Sequence, residues 1–309
     1  MTPLLFLTGA SGMVGTNILN HCSAKNWNVI APSSKELDLM DYSAVTSFYE
    51  NNKPNMVVHC AGKVGGISAN LMEPVAFLDK NIVIGRNVIM GARTAGVKKL
   101  LNLASTCIYP REAVNPLKEN LILEGRLEPT NEGYALAKIV ALRLCQYISR
   151  EDPSFNYKTL IPCNLYGHFD KFDPLNSHLL PAIIHKLHQA KSSKELFVEI
   201  WGNGSARREF MFVEDLVEAI FLAMEQILDI PDIMNLGVGN DHSIKKYYQT
   251  VASVLDWPGS FTYNTTKPTG MVQKLSDISA QTKWGWQPKT SLEDGIKSTY
   301  KYYLEHILK

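Results

Sequence analysis

Residues 4–15 read LLFLTGASGMVG, and this stretch decides the fold. Leu4–Leu7 is a continuous apolar run, as expected of a strand covered on both faces. Gly9, Gly12 and Gly15 follow at three-residue intervals. Beyond them Val14, Ile18, Leu19 and Cys22 fall on one side of a helix over residues 12–25. A strand, a glycine turn and a helix in this order let backbone approach a pyrophosphate at the helix N-terminus. The spacing is G-x-x-G-x-x-G rather than G-x-G-x-x-G, and the strand before it and helix after it are what make it informative.

Working outward, the same rhythm repeats. Strands are expected over 28–34, 55–62, 97–105 and 157–164. Helices are expected over 41–52, with Asp41 as N-cap, 74–95, with Gly96 as C-cap, and 131–151. After about residue 163 the loops lengthen, with helices near 178–190, 213–226, 243–255 and 291–307 and strands near 196–201 and 208–212. Strands alternating with helices imply a parallel sheet wrapped on both faces. The expectation is therefore an α/β chain. A Rossmann-type doubly wound parallel sheet occupies residues 1–162. A smaller α/β substrate lobe at its carboxyl edge occupies 163–309, with some interleaving of the chain.

Composition narrows the function. Of 309 residues, 45% are hydrophobic and 20% charged, the balance of a soluble globular protein. Lys and Arg number 31 against 30 Asp and Glu, without the basic excess of a nucleic-acid binder. No apolar run reaches membrane-spanning length, and the N-terminal residues lack the pattern of a secretory leader. Five widely spaced cysteines without C-x-x-C speak for a reducing cytoplasm and against disulfide frameworks. The eight histidines show no metal-ligand spacing, so no metal is expected. Cys22, Cys60 and Cys145 read as core residues, and His59 as a structural residue ending a strand.

An acidic residue at the end of the second strand would favour NAD. Here Ser33, Ser34 and Lys35 stand in that place, can donate to a 2′-phosphate, and favour NADP(H), with Ser11 adding a hydroxyl in the glycine loop. Glu36 and Asp38 are close enough that the register decides the matter. Tyr134 and Lys138 are spaced i, i+4 and share a helix face. An ammonium beside a phenol favours the phenolate, so Tyr134 can exchange a proton at a carbonyl oxygen while a nicotinamide exchanges hydride. Ser105, after the fourth strand, can donate a second hydrogen bond to that oxygen.

With these residues in place the chain resembles the short-chain dehydrogenase/reductase superfamily, in its extended branch that modifies nucleotide sugars. AGKVGGISAN (61–70), STCIYP (105–110), LEPTNEGYALAK (127–138), PCNLYG (162–167), NSHLLPA (176–182), EIWGNGSARREF (199–210) and KPTG (267–270) are similar to the GDP-L-fucose synthase family over nearly the whole length. The resemblance implies epimerisation at C-3 and C-5 of a GDP-4-keto-6-deoxy sugar, then reduction at C-4 by NADPH. Its proton-transferring cysteine and histidine map onto Cys107 and His178, beside Ser105, Tyr134 and Lys138. Cofactor contacts are expected from Gly9, Ser11, Gly12, Met13, Val14, Gly15, Ser33, Ser34, Lys35, Leu39, Ala61, Tyr134, Lys138, Pro162, Asn164, Leu165 and His178. Lys186, Arg208 and Lys274 are candidate partners of the substrate diphosphate, and Trp201 could pack on nucleotide or sugar. A homodimer through the helices near 74–95 and 133–150 is also implied.

His168, Phe169, Lys171, Thr269 and Gln273 depart from the family's usual residues. They place the exact sugar in doubt, a GDP-heptose included. Other readings are a C-4 reductase alone, an epimerase or dehydratase without net redox, and a non-catalytic NADP-binding regulator.

Overall fold

The computed structural model describes residues 2–173, 177–267 and 270–308. Thr269 and residues 174–176 of the GHFDKFDPLNSH loop lie outside them. In chain order the elements are β1 (Leu4–Thr8), α1 (Met13–Asn20), β2 (Asn28–Ile30), α2 (Tyr42–Asn52), β3 (Met56–His59), α3 (Ile67–Met72), α4 (Pro74–Thr94), β4 (Lys99–Leu103), α5 (Glu132–Glu151) and β5 (Asn156–Pro162). Then come β6 (Asn164–Tyr166), α6 (Leu179–Ser192), β7 (Phe197–Trp201), β8 (Arg207–Arg208), β9 (Phe210–Phe212), α7 (Val213–Glu225) and β10 (Ile233–Leu236). The chain ends with β11 (His242–Ser243), α8 (Ile244–Val254), β12 (Ser260–Asn264), β13 (Gln273–Lys274), α9 (Ser279–Trp284) and α10 (Leu292–His306).

Six strands form one parallel sheet in the order β10-β5-β4-β3-β1-β2. Alternate side chains divide between its faces, as the pleat dictates. Leu5, Leu7, Met56, Val58, Leu101 and Leu103 pack with Ile18 of α1 and with Leu216, Ile220 and Phe221 of α7. Phe6, Val57, Leu100 and Tyr157 pack on the other face with Tyr49 of α2, Val88 of α4 and Ala141 of α5. The central strands β1 and β3 are buried on both sides, so each is almost wholly apolar, whereas the edge strand β2 is partly exposed. Because the strands are parallel, the loops after β1, β3, β4 and β5 leave from one carboxyl edge.

β10 is the sheet strand not anticipated from the sequence. IMNL is too short and too mixed to stand out, yet it pairs with β5 from Thr159↔Ile233 to Pro162↔Leu236. The second half of the chain thus returns to complete the first half's sheet. α7 and α9 of that half also pack on the sheet, and the remainder builds a lobe with its own core, in which α6, α8 and α10 bring together Leu180, Ile184, Leu187, Tyr247, Val251, Ile296 and Tyr303.

Local expectations fare unevenly. Asp41 caps α2, accepting the N–H groups of Ser43 and Ala44 at 2.9 and 3.1 Å. Gly96 follows α4 with φ +73°, the left-handed conformation that ends a helix. α1 stops at Asn20 because His21 is extended and starts a 3₁₀ turn over Cys22–Asn26. Cys22 is therefore exposed, and Cys60 only half-buried, whereas Cys145 is in the core as expected. The expected strand at 208–212 is divided, because Glu209 leaves the ladder between β8 and β9.

Candidate active site

The glycine loop is built by contacts that admit no side chain. Gly9 has φ +75°, and a Cβ there would lie 2.7 Å from the Ala61 nitrogen. A Cβ on Gly15 would lie 2.3 Å from the Gly9 carbonyl oxygen. Gly12 differs: its Cβ would meet nothing closer than the same oxygen at 3.4 Å. The chain's own packing therefore demands glycine at 9 and 15, while at 12 the space lies open above the loop. Gly12 is also the N-cap of α1 and supplies no side-chain cap, so first-turn N–H groups at Met13, Val14 and Gly15 remain for an anion. Ser11 and Gly12 are exposed beside them. Ala61 is held beneath Gly9 by its N–H bond to Thr8 Oγ1 at 3.3 Å. The same hydroxyl meets His59 Nδ1 at 2.8 Å. Burial drives His59 down to about 3, so it is a neutral structural residue.

At the end of β2 the chain turns immediately. Glu36 and Leu37 donate their N–H groups to the Ser33 carbonyl, and the Glu36 carboxylate accepts the Ser33 N–H at 2.7 Å. The acid nearest the expected ribose site is thus engaged in its own turn, and Ser33, Ser34 and Lys35 are exposed around it. Half-buried Leu39 offers its carbonyl to Asn87 of α4 at 3.0 Å. These features suit a dinucleotide carrying a 2′-phosphate.

After β4 the chain enters a 3₁₀ turn over Thr106–Ile108 in which Ser105 Oγ accepts the Cys107 N–H at 3.5 Å. Cys107 is buried, and burial raises its thiol above the ordinary value, opposed by Lys274, Ser105 and Lys138. Tyr134 and Lys138 stand on the first turns of α5. Lys138 Nζ donates to the Leu103 carbonyl at 2.9 Å and lies 5.8 Å from the centre of the Tyr134 ring. Burial lowers the ammonium, and the Cys107 and Cys60 thiols oppose that.

The phenol behaves otherwise than expected. Burial, with Cys107 adding to it, raises Tyr134 instead of lowering it. Desolvation of the buried phenol dominates, and the Lys138 ammonium stands 5.8 Å from the ring centre.

The loop after β3 adjoins Lys138, and the loop that carries His178 meets it at Gly66. Asn81 of α4 receives the Lys63 N–H at 2.8 Å and returns its amide to the Lys63 carbonyl at 3.1 Å, fixing the loop after β3. A Cβ on Gly62 in that loop would lie 3.9 Å from Lys138 Nζ, and one on Gly66 would lie 3.5 Å from the Ser177 carbonyl. His178 is the N-cap residue of α6 but makes no side-chain cap. Its ring is lowered by burial, with Lys171 adding to it.

From the lobe, β13 runs beside β8 with Lys274 opposite Arg208. Lys274 interacts electrostatically with Cys107, Arg208 and Glu128. The structure thus brings Lys274 to the Cys107 centre, with Arg208 on the neighbouring strand. Lys186 is engaged between α6 and β7, where its Nζ donates to the Glu199 carbonyl at 2.5 Å. Trp201 is half exposed at the end of β7, with Lys267 Nζ 5.4 Å from its ring. Pro162 ends β5, Asn164 Nδ2 donates to the Glu209 carbonyl at 2.8 Å, and Leu165 packs on the sheet core.

Sequence reasoning passed over three residues that organise this region. Asn81 ends the polar Asp79-Lys80-Asn81 run of α4, and nothing local marks it as buried. Glu128 lies in LEPTNEGYALAK and Glu209 in EIWGNGSARREF, and neither motif by itself says what the carboxylate touches. Glu209 is buried and accepts N–H groups from Val238, Gly239 and Ser276 at 2.7, 2.8 and 2.9 Å, and only the tertiary structure reveals it.

The model of the NAD dependent epimerase/dehydratase family matches residues 5–237, spanning the sheet and every residue of the Ser105–Lys138 group. The chain belongs to this family. It is 50% identical to a GDP-L-fucose synthase of Azorhizobium caulinodans, over 97% of this chain and 96% of that one. It is 49% identical to a GDP-L-colitose synthase of Yersinia pseudotuberculosis, over 97% of both. Among solved structures, the NADP-bound GDP-mannoheptose C4 reductase of Campylobacter jejuni superposes with a TM-score of 0.88 at 31% identity, over 98% of each chain. Membership makes this an oxidoreductase/epimerase of the extended short-chain fold, working with a nicotinamide dinucleotide.

Proposed function

We propose that this enzyme converts GDP-4-keto-6-deoxy-D-mannose to GDP-L-fucose, epimerising C-3 and C-5 and reducing C-4 with NADPH. The observation that carries the reading is the coupling of Cys107 to Tyr134, Lys138 and Lys274 in one buried group. A reductase alone needs the serine, tyrosine and lysine. A buried thiol beside them adds a proton-transfer group.

Gly9, Ser11, Gly12, Met13, Val14 and Gly15 hold the cofactor pyrophosphate, and Ser33, Ser34 and Lys35 its 2′-phosphate. Bound NADPH supplies hydride to C-4. Ser105 and Tyr134 donate to the C-4 oxygen, stabilising the enolate that forms when a neighbouring C–H is lost. Cys107 and His178 take and return that proton on opposite faces of the ring. Tyr134, backed by Lys138, protonates the oxygen as C-4 is reduced. Arg208 and Lys274 face the diphosphate, Arg208 with its bidentate fork.

Two relatives favour neighbouring substrates. A colitose synthase at 49% identity suggests the 3-deoxy counterpart of the fucose precursor, for which only C-5 inverts. The heptose reductase suggests C-4 reduction of a longer GDP-sugar. His168, where the family usually has proline, supports a distinct pocket. It ties the loop before His178 to Glu214 and Ser298, at 2.9 Å each, and stacks on Tyr302. All five cysteines are free, consistent with work in the reducing cytoplasm. A homodimer is proposed through α4 and α5, where Leu136, Val140 and Tyr147 form an exposed stripe.

The test follows NADPH oxidation with GDP-4-keto-6-deoxymannose in deuterium oxide, with NMR of the product. Deuterium at C-3 and C-5 is expected, and lost in Cys107→Ser and His178→Asn. Oxidation without label identifies a reductase alone. Turnover of only the 3-deoxy or heptose substrate selects the corresponding relative's reaction, and NADPH binding without any turnover points to a regulator.

A further inference from the structure

Glu128 lies six residues before Tyr134, on the segment that enters α5, and is 7% exposed. Its Oε1 accepts the N–H and the hydroxyl of Thr130 at 3.4 and 3.2 Å. Its Oε2 is buried and, among the described residues, accepts no hydrogen bond. The Arg111 Nε is 3.5 Å away, near enough for an ion pair but without hydrogen-bond geometry. A buried carboxylate oxygen without a donor is costly and rare, and calls for an explanation.

The surroundings say what kind of donor is missing. Arg208 and Lys274 both interact with the Glu128 charge, and Lys274 also faces Cys107. Cationic partners are already supplied, and an anion would be repelled, which leaves a neutral donor, and a sugar substrate offers hydroxyls. On the reading above, the diphosphate on C-1 meets Arg208 and Lys274, and C-3 meets the Cys107 centre. The carbon between C-1 and C-3 is C-2, and it carries a hydroxyl.

We propose that Glu128 Oε2 accepts a hydrogen bond from the C-2 hydroxyl of the substrate sugar, and that Glu128 is a specificity-determining residue of this enzyme. The assignment rests on the GDP-sugar reading of the site. A hydrogen bond to a charged acceptor contributes about 1.5–3 kcal/mol, which corresponds to about 10- to 100-fold in affinity.

The experiment measures calorimetric binding of GDP, GDP-mannose and GDP-2-deoxymannose to the full-length enzyme loaded with NADP⁺. Wild type is expected to prefer GDP-mannose over its 2-deoxy analogue by about tenfold or more. In Glu128→Ala that preference disappears while GDP binds as before or more tightly, since a negative charge beside two cations has gone. Glu128→Gln keeps the shape and carries the same test if the alanine variant does not fold, with the preference reduced. Equal binding of the two sugars by wild type, or a preference that survives in both variants, overturns the proposal. Equal loss of GDP and GDP-mannose affinity also overturns it, making Glu128 a support for the cations. Absence of GDP binding by wild type defeats the GDP-sugar reading itself, and the Glu128 assignment with it.

Discussion

The ammonium of Lys138 donates to the carbonyl oxygen of Leu103 at 2.9 Å, tying the start of α5 to the last residue of β4. This bond locks Tyr134 over the carboxyl edge of the sheet, with Ser105 two residues beyond the tether. Lys138→Met should therefore lower the C-4 reduction rate by about 100-fold or more, the scale of a lost proton-transfer partner. It should also cost about 1–3 kcal/mol of stability, because the Leu103 carbonyl loses its donor. Single-turnover NADPH oxidation and urea unfolding measure the two effects separately. A rate within threefold of wild type would mean that the tether has no part in the chemistry.

The glycines separate structural from ligand demands. Gly15→Ala places a methyl group 2.3 Å from the Gly9 carbonyl oxygen, and should lower the thermal midpoint and cofactor affinity together. Gly12→Ala meets only an ordinary 3.4 Å neighbour. It should leave stability within about 0.5 kcal/mol while weakening NADPH binding about tenfold or more, because backbone must approach the pyrophosphate there. Differential scanning calorimetry with and without NADPH checks both.

His59 gives stability a pH dependence. Its ring titrates near 6.5 when unfolded and about 3 when folded, owing to burial and then Lys138. The unfolded chain takes up a proton below pH 6.5 that the folded chain refuses until about pH 3. The His59 contribution is therefore fully present above pH 6.5 and is lost progressively as pH falls toward 3. Its slope is at most about 1.4 kcal/mol per pH unit. Urea unfolding at pH 7 and pH 5 should show the loss, and His59→Gln should flatten it.

Leu136 and Val140 are each 38% exposed and Tyr147 is 52% exposed, along one side of α5. If this stripe forms the dimer contact, Leu136→Glu with Val140→Glu should halve the mass seen by light scattering, with the circular dichroism unchanged. A wild-type monomer would remove the homodimer proposal.

The arrangement of strands and helices in the first half was legible because a strand buried on both faces must be apolar throughout, and a helix must repeat its apolar face every turn. The glycine loop and the Tyr134–Lys138 pair were legible for the same reason: backbone approach and helical spacing are local demands.

The rest depended on contacts between distant parts of the chain. Ile233–Leu236 carries too little pattern to announce a strand, and becomes one because β5 offers a free edge. Nothing local predicts that Lys274 comes to Cys107, that the ammonium of Lys138 turns to Leu103, or that burial leaves the Tyr134 phenol raised. By itself the sequence determined the elements and the nucleotide-binding turn, because propensity, periodicity and glycine sterics act over a few residues. Only the tertiary structure decided the electrostatics of the reaction centre and the buried oxygen of Glu128, because burial and charge sum over every segment that converges on the sheet's carboxyl edge.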